Sequence, residues 1–121
     1  MKRALSFAPA TAWALTILLL GSIPSLTPPV DLPIDKLGHF AMFAVLGALL
    51  AWGLHRAGVR ASLAWPLVLG ALVGAIDELH QRSVPGRSSD VMDFVADFAG
   101  CAIALWLTHH LLERREKRHR A

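Results

Sequence analysis

The chain has 121 residues, 55% of them hydrophobic and 17% charged, with a formal net charge of +3. Soluble domains carry roughly 25% charged residues, so this composition excludes disorder and a collagen-like repeat, and the lone Cys101 excludes a disulfide scaffold. A sequence pI near 9.8 would suit nucleic-acid binding, but the placement of the charges points elsewhere.

Asp, Glu, Lys and Arg are missing from residues 4–30, 37–55, 61–76 and 98–112. A hydrocarbon core about 30 Å thick takes roughly 20 helical residues at 1.5 Å each. The first two gaps meet that length directly, and the other two do so if the polar residues beside them join the helices. The pattern predicts an all-α, polytopic membrane bundle with four transmembrane helices at roughly 5–24, 36–55, 61–80 and 91–112. These form a single domain over residues 1–121, ending in a basic cytoplasmic tail at 113–121. A soluble four-helix bundle would carry a polar stripe on every helix. Residues 10–21 (ATAWALTILLLG) have no polar face beyond two threonines.

In the first span, Met1-Lys2-Arg3 before an apolar run also fits the start of a secretory signal peptide. Leu20-Gly21-Ser22 is a poor cleavage site, so an uncleaved helix is expected. Pro24, Pro28 and Pro29 then end the span and open an extended loop.

The basic residues set the orientation. With the N-terminus inside, Lys2, Arg3, Arg56, Arg60, Arg114, Arg115, Lys117, Arg118 and Arg120 lie on the cytoplasmic side with Glu113 and Glu116, giving +7. Lys36, Arg82 and Arg87 lie opposite with Asp31, Asp35, Asp77, Glu78, Asp90, Asp93 and Asp97, giving −4, and the two sides sum to the formal +3. Both termini are therefore expected in the cytoplasm of a multi-pass protein of the cytoplasmic (inner) membrane. The tail 113–120 would lie beside anionic lipid. No nucleic-acid partner is expected.

The remaining polar residues gather at the non-cytoplasmic ends of spans two, three and four. Asp35-Lys36 and His39 open the second, Asp77-Glu78, His80 and Gln81 close the third, and Gly86-Arg87-Ser88-Ser89-Asp90 with Asp93 leads into the fourth. At 100° per residue, Asp90, Asp93, Asp97, Gly100, Cys101 and Ala104 share about a third of the helix circumference. Gly70, Gly74, Asp77 and Gln81 share one narrow face of the third span. Gly70–Gly74 is a small-xxx-small pair, so the two small faces can pack closely and bring the polar ends together. Ser89 or Asp90 would cap the fourth helix.

Charged groups in a bilayer face a bundle interior and find partners. The cluster is thus either an ion-paired plug holding three helices or a site. As a site, its residues are Lys36, His39, Glu78, Gln81, Arg87, Asp90 and Asp93, with Lys36 and Arg87 able to hold phosphate or carboxylate. His39, with His80 as a second candidate, has the chemistry of a general base. His39, Glu78 and Asp93 are ligand types for a divalent ion, but no short-spaced pair such as HxxxH accompanies them, so no metal and no cofactor is expected. No catalytic residue is assigned, since GxSxG, Walker and CxxC motifs are absent. Cys101 reads as a small packing residue. Trp13, Trp52, Trp65 and Trp106 read as lipid-facing or interfacial anchors.

Three pieces in this order resemble the VanZ-like family of small bacterial membrane proteins: Asp35-Lys36 with His39-Phe40, Asp77-Glu78 with Gln81, and Pro85-Gly86-Arg87 followed by Asp90, Asp93 and Gly100. The family pattern usually has Asn where Asp97 stands, so an amide role there does not carry over. The namesake is associated with resistance to the glycopeptide antibiotic teicoplanin. The resemblance therefore implies a cell-envelope role, of glycopeptide-resistance type at its most specific, and brings no established reaction.

Two functions remain open from the sequence. One is an outer-face pocket that binds a lipid headgroup or cell-wall precursor. The other is a membrane-embedded enzyme acting on a lipid-linked envelope substrate, with His39 or Glu78 as acid/base and Arg87 stabilising an oxyanion or phosphate. The lipid bilayer is a partner in either case, and a homo-oligomer through the glycine faces stays open.

Overall fold

A computed structural model describes residues 1–24, 33–60, 62–87 and 89–121. Pro28, Pro29, Asp31, Ala61 and Ser88, which enter the sequence expectations above, lie outside the described residues. Within them the chain is all-helical: α1 (Lys2–Leu5), α2 (Ala8–Gly21), α3 (Pro33–Arg56), α4 (Ala64–Gln81) and α5 (Val91–Arg120).

Helical periodicity decides which faces meet. On α3 the buried residues Phe43, Leu46, Gly47, Leu50, Ala51 and Leu54 recur three, four, seven and eight apart, the stripe of a core-facing helix. On α5 the stripe is Asp93, Asp97, Gly100, Cys101 and Leu105. These two helices form the spine of the bundle. They run in the same direction, since His39 meets Asp97 near one end and His55 approaches Glu116 near the other.

Glycine sets how closely the spine packs. A Cβ at Gly100 would run into the backbone of Phe40, and one at Gly47 into the backbone of Cys101. Small residues at both contacts let the two backbones touch. Cys101 is fully buried there, with its sulfur against Gly70 of α4, as expected of a packing residue. Ile17, Phe43, Leu46, Leu50 and Leu105 complete the core.

Among the described residues, two helices, α3 and α5, are long and apolar enough to cross a membrane, where the sequence predicts four. α2 falls short at 14 residues because Pro9 lacks an N–H and crowds the carbonyl four residues back, so the helix breaks at Ser6–Phe7 and restarts. α4 has 18 residues, but its last turns carry Asp77, Glu78, His80 and Gln81. Residues 113–120, read from sequence as a tail, continue α5 without a break to Arg120.

Burial does not simply follow polarity. Asp77, Glu78, Gln81, Asp93 and Asp97 are buried, while Leu19, Leu69, Leu72, Ile76, Ile103 and Leu107 are exposed. Trp65 and Trp106 are exposed, as lipid anchors would be. Trp13 is not such an anchor. Its indole N–H donates to the Met42 carbonyl at 2.8 Å and ties α2 to α3.

Candidate functional site: a polar end shared by four helices

The start of α3, the end of α4 and the start of α5 converge at one end of the bundle, joined by the end of α2. Local chemistry fixes each terminus. Asp90 caps α5, its carboxylate accepting the Met92 N–H at 2.9 Å. That bond, and next the Lys36 ammonium, hold the Asp90 carboxyl below the usual carboxylate range. Lys36 donates to Asp90 and Asp93 at 3.0 Å each, bridging the first turn of α3 to that of α5.

One turn deeper, His39 Nδ1 and Asp97 Oδ1 are 2.9 Å apart, with Asp97 only 1% exposed. Glu78, from α4, brings a ligand atom within 4.8 Å of those of His39 and Asp97. Glu78 is 6% exposed, and neither of its carboxylate oxygens has a hydrogen-bond partner of good geometry among the described residues. The Ser89 hydroxyl stands close enough to donate to that carboxylate, and itself accepts from Arg82 Nε at 3.1 Å. Asp97 Oδ2 and Asp77 Oδ1 are likewise unpartnered among the described residues.

On the α2 side, Gln81 donates to Asp77 at 2.7 Å, and Gly21 presses against Asp77 where a Cβ would collide with the carboxylate. Arg87 reaches this side through a tight turn. Pro85 and Gly86 hold its central positions, the Arg87 N–H closes it on the Val84 carbonyl at 3.2 Å, and Gly86 has φ +81°. A type II turn needs that left-handed conformation, which glycine adopts without strain. The turn aims Arg87 Nη1 at the Gly21 carbonyl, 2.6 Å away, so the guanidinium caps the C-terminus of α2. Gly86→Ala should therefore cost about 1 kcal/mol of stability, and proteolysis at the α2 end should rise with it. Cleavage and melting unchanged from the parent would show that the turn does not position Arg87.

A cavity of about 280 Å³ opens between α2, α3 and α4. Asp35, His39, Asp77, Gln81 and Arg87 supply its polar lining, and Ile17, Leu20, Ile34, Met42 and Phe43 its apolar walls. The seven residues singled out in the sequence thus divide three ways. His39, Gln81 and Arg87 line the cavity, whereas Lys36, Asp90 and Asp93 form an ion-paired patch between α3 and α5, and Glu78 meets His39 and Asp97. Asp77 and Asp97 are central here although sequence reasoning left them out. The signal was present, since both lie on the faces that helical spacing turns inward. His80 stands apart, its Nε2 2.7 Å from the Ser22 hydroxyl.

Two helices of spanning length, with buried acids beneath exposed apolar residues, are the pattern of a helical membrane protein. The chain matches the VanZ/LLP1 family over residues 4–112 and belongs to it. It is 33% identical over 96 residues to the uncharacterized protein C11E3.10 of Schizosaccharomyces pombe, covering 79% of this chain and 57% of that protein's length. No solved structure matches.

Proposed function

We propose that this chain is a multi-pass protein of the bacterial cell envelope, set in the cytoplasmic membrane with both termini inside. Its cavity binds the polar headgroup of a lipid or a lipid-linked cell-wall precursor. In this reading α2 and α4 also span: α2 lies against α3 and α4, α4 lies against α3 and α5, and the shared polar end supports a common depth. The exposed leucines and isoleucine of α2 and α4 then face lipid. The nine basic residues on the opposite side support this orientation.

The observation that carries the reading is the cavity itself. Apolar walls leading to a few convergent polar groups are what an amphiphile needs at its headgroup boundary. Gly38 gives a direct test, because it lines the cavity and a Cβ there meets nothing within 4 Å. Gly38→Leu should fill the space without straining the bundle, and helix propensity favours it by roughly 0.5–1 kcal/mol. Membrane abundance should hold while co-purifying lipid, measured by mass spectrometry, is lost. Retention of the same lipid by both proteins would refute the reading.

His39 supports a second reading, an enzyme acting on a lipid-linked envelope substrate. It lines the cavity with its ring held by Asp97, the arrangement of an oriented general base. Turnover of an envelope lipid by purified protein would favour it over simple binding.

A further inference from the structure

We propose that His39, Glu78 and Asp97 form a binding site for a divalent first-row cation of the Mn²⁺ or Zn²⁺ type. Three helices each contribute one residue, and one ligand atom from each lies within 4.8 Å of the others. Ligands about 2.0–2.2 Å from a tetrahedral ion stand roughly 3.3–3.6 Å apart, so atoms within 4.8 Å of one another must close by about 1.5 Å at most. Small rotamer adjustments therefore suffice to close the set on an ion. One imidazole with two carboxylates is a mixed donor set that suits Mn²⁺ or Zn²⁺ better than a soft-ligand metal.

Unpartnered oxygens are the second, independent observation. Glu78 is 6% exposed, and the Ser89 hydroxyl beside it has one proton to give, so at least one of its two carboxylate oxygens is uncommitted. Asp97 Oδ2 is uncommitted too, and its other oxygen meets His39 Nδ1, which fixes the ring. Buried carboxylates without donors demand a counter-charge. The neighbouring cations are already engaged: Lys36 bridges Asp90 and Asp93, Arg87 Nη1 caps α2, and a protonated His39 would balance only one carboxylate, through Asp97 Oδ1, a proton that the ion would displace. A second ligand-type group, Asp35, His39 and Asp93, also shares His39. It is the weaker candidate, because Lys36 neutralises Asp93.

His39 belongs both to this set and to the cavity wall. A cation there would add positive charge beside Asp35 and Asp77 and let the cavity accept a phosphate. That last link, unlike the cation site itself, rests on the headgroup reading.

The test uses the full chain purified in detergent and stripped with a chelator. Mn²⁺ binding is followed by electron paramagnetic resonance, Zn²⁺ binding by equilibrium dialysis, and thermal unfolding is recorded with and without each ion. One equivalent should bind per chain and raise the melting midpoint. Glu78→Gln and Asp97→Asn should each weaken binding about tenfold or more, while Asp35→Asn, which removes a nearby charge but no ligand, weakens it several-fold less. Binding below one equivalent at millimolar ion, or no ion-dependent shift of the wild-type midpoint, overturns the proposal. So does loss of binding in Asp35→Asn with Glu78→Gln unaffected, which would move the ion to the other group. The Gly38→Leu protein keeps the ion site, so ion binding without lipid retention by the parent would sink the headgroup reading alone.

Discussion

Replacing Gly100 with leucine should leave almost no folded protein in the membrane. The position has no slack, because a single Cβ there already overlaps the Phe40 backbone. Overpacking against side chains typically costs 1–3 kcal/mol, with rotamer shifts absorbing part of the strain. Here the obstacle is a helix backbone, so the spine must separate and the cost should reach about 3 kcal/mol or more. Gly47→Leu should behave the same way against the Cys101 backbone. Gly38→Leu on the same α3 helix is the internal comparison, since its side chain enters open space. Abundance in membranes and monodispersity on size exclusion in detergent would separate the two classes. A Gly100→Leu protein that is abundant and melts with the parent would mean that α3 and α5 do not pack as described.

The contrast between Gly38 and Gly100 also shows what kind of information a sequence holds. Helical spacing placed Asp97, Gly100 and Cys101 on one face of α5, and Gly70, Gly74, Asp77 and Gln81 on one face of α4. The structure buries both sets. Spacing gives an azimuth, and in a membrane bundle an azimuth rich in acids and glycines is the inward one. It does not give the partner. That Gly100 meets Phe40, or that His39 meets Asp97, depends on the register of α3 against α5. No local pattern encodes that register.

Arg87 illustrates the same limit. Its charge suggests an anion, yet the turn at Gly86 spends at least one guanidinium nitrogen on the last carbonyls of α2. The membrane spans were legible from the charge gaps to the extent that α3 and α5 fill two of them. The first gap contains Pro9, whose missing N–H breaks the helix without altering the hydropathy of the segment. In the third, the polar residues needed to complete the length are the ones α4 turns inward toward the site.

His39→Leu should be the most damaging substitution at the polar end itself. Asp97 would keep its 1% exposure and lose its hydrogen bond, leaving both carboxylate oxygens unpartnered among the described residues. Stranding a buried polar group costs about 1–3 kcal/mol, and a charged one more. Asp97→Leu should cost less, because the His39 side chain is 12% exposed and lines the cavity, where its ring can meet solvent or headgroup. The double substitution removes both halves of the pair and should recover most of the loss. A double-mutant cycle on thermal melting in detergent then yields the coupling between α3 and α5 at this depth. Additive single effects would show that the two side chains do not interact. Suppose instead that the double variant is as stable as the parent but retains neither lipid nor divalent ion. The polar end would then exist to bind something, since a plug replaced by packed leucines would have lost nothing.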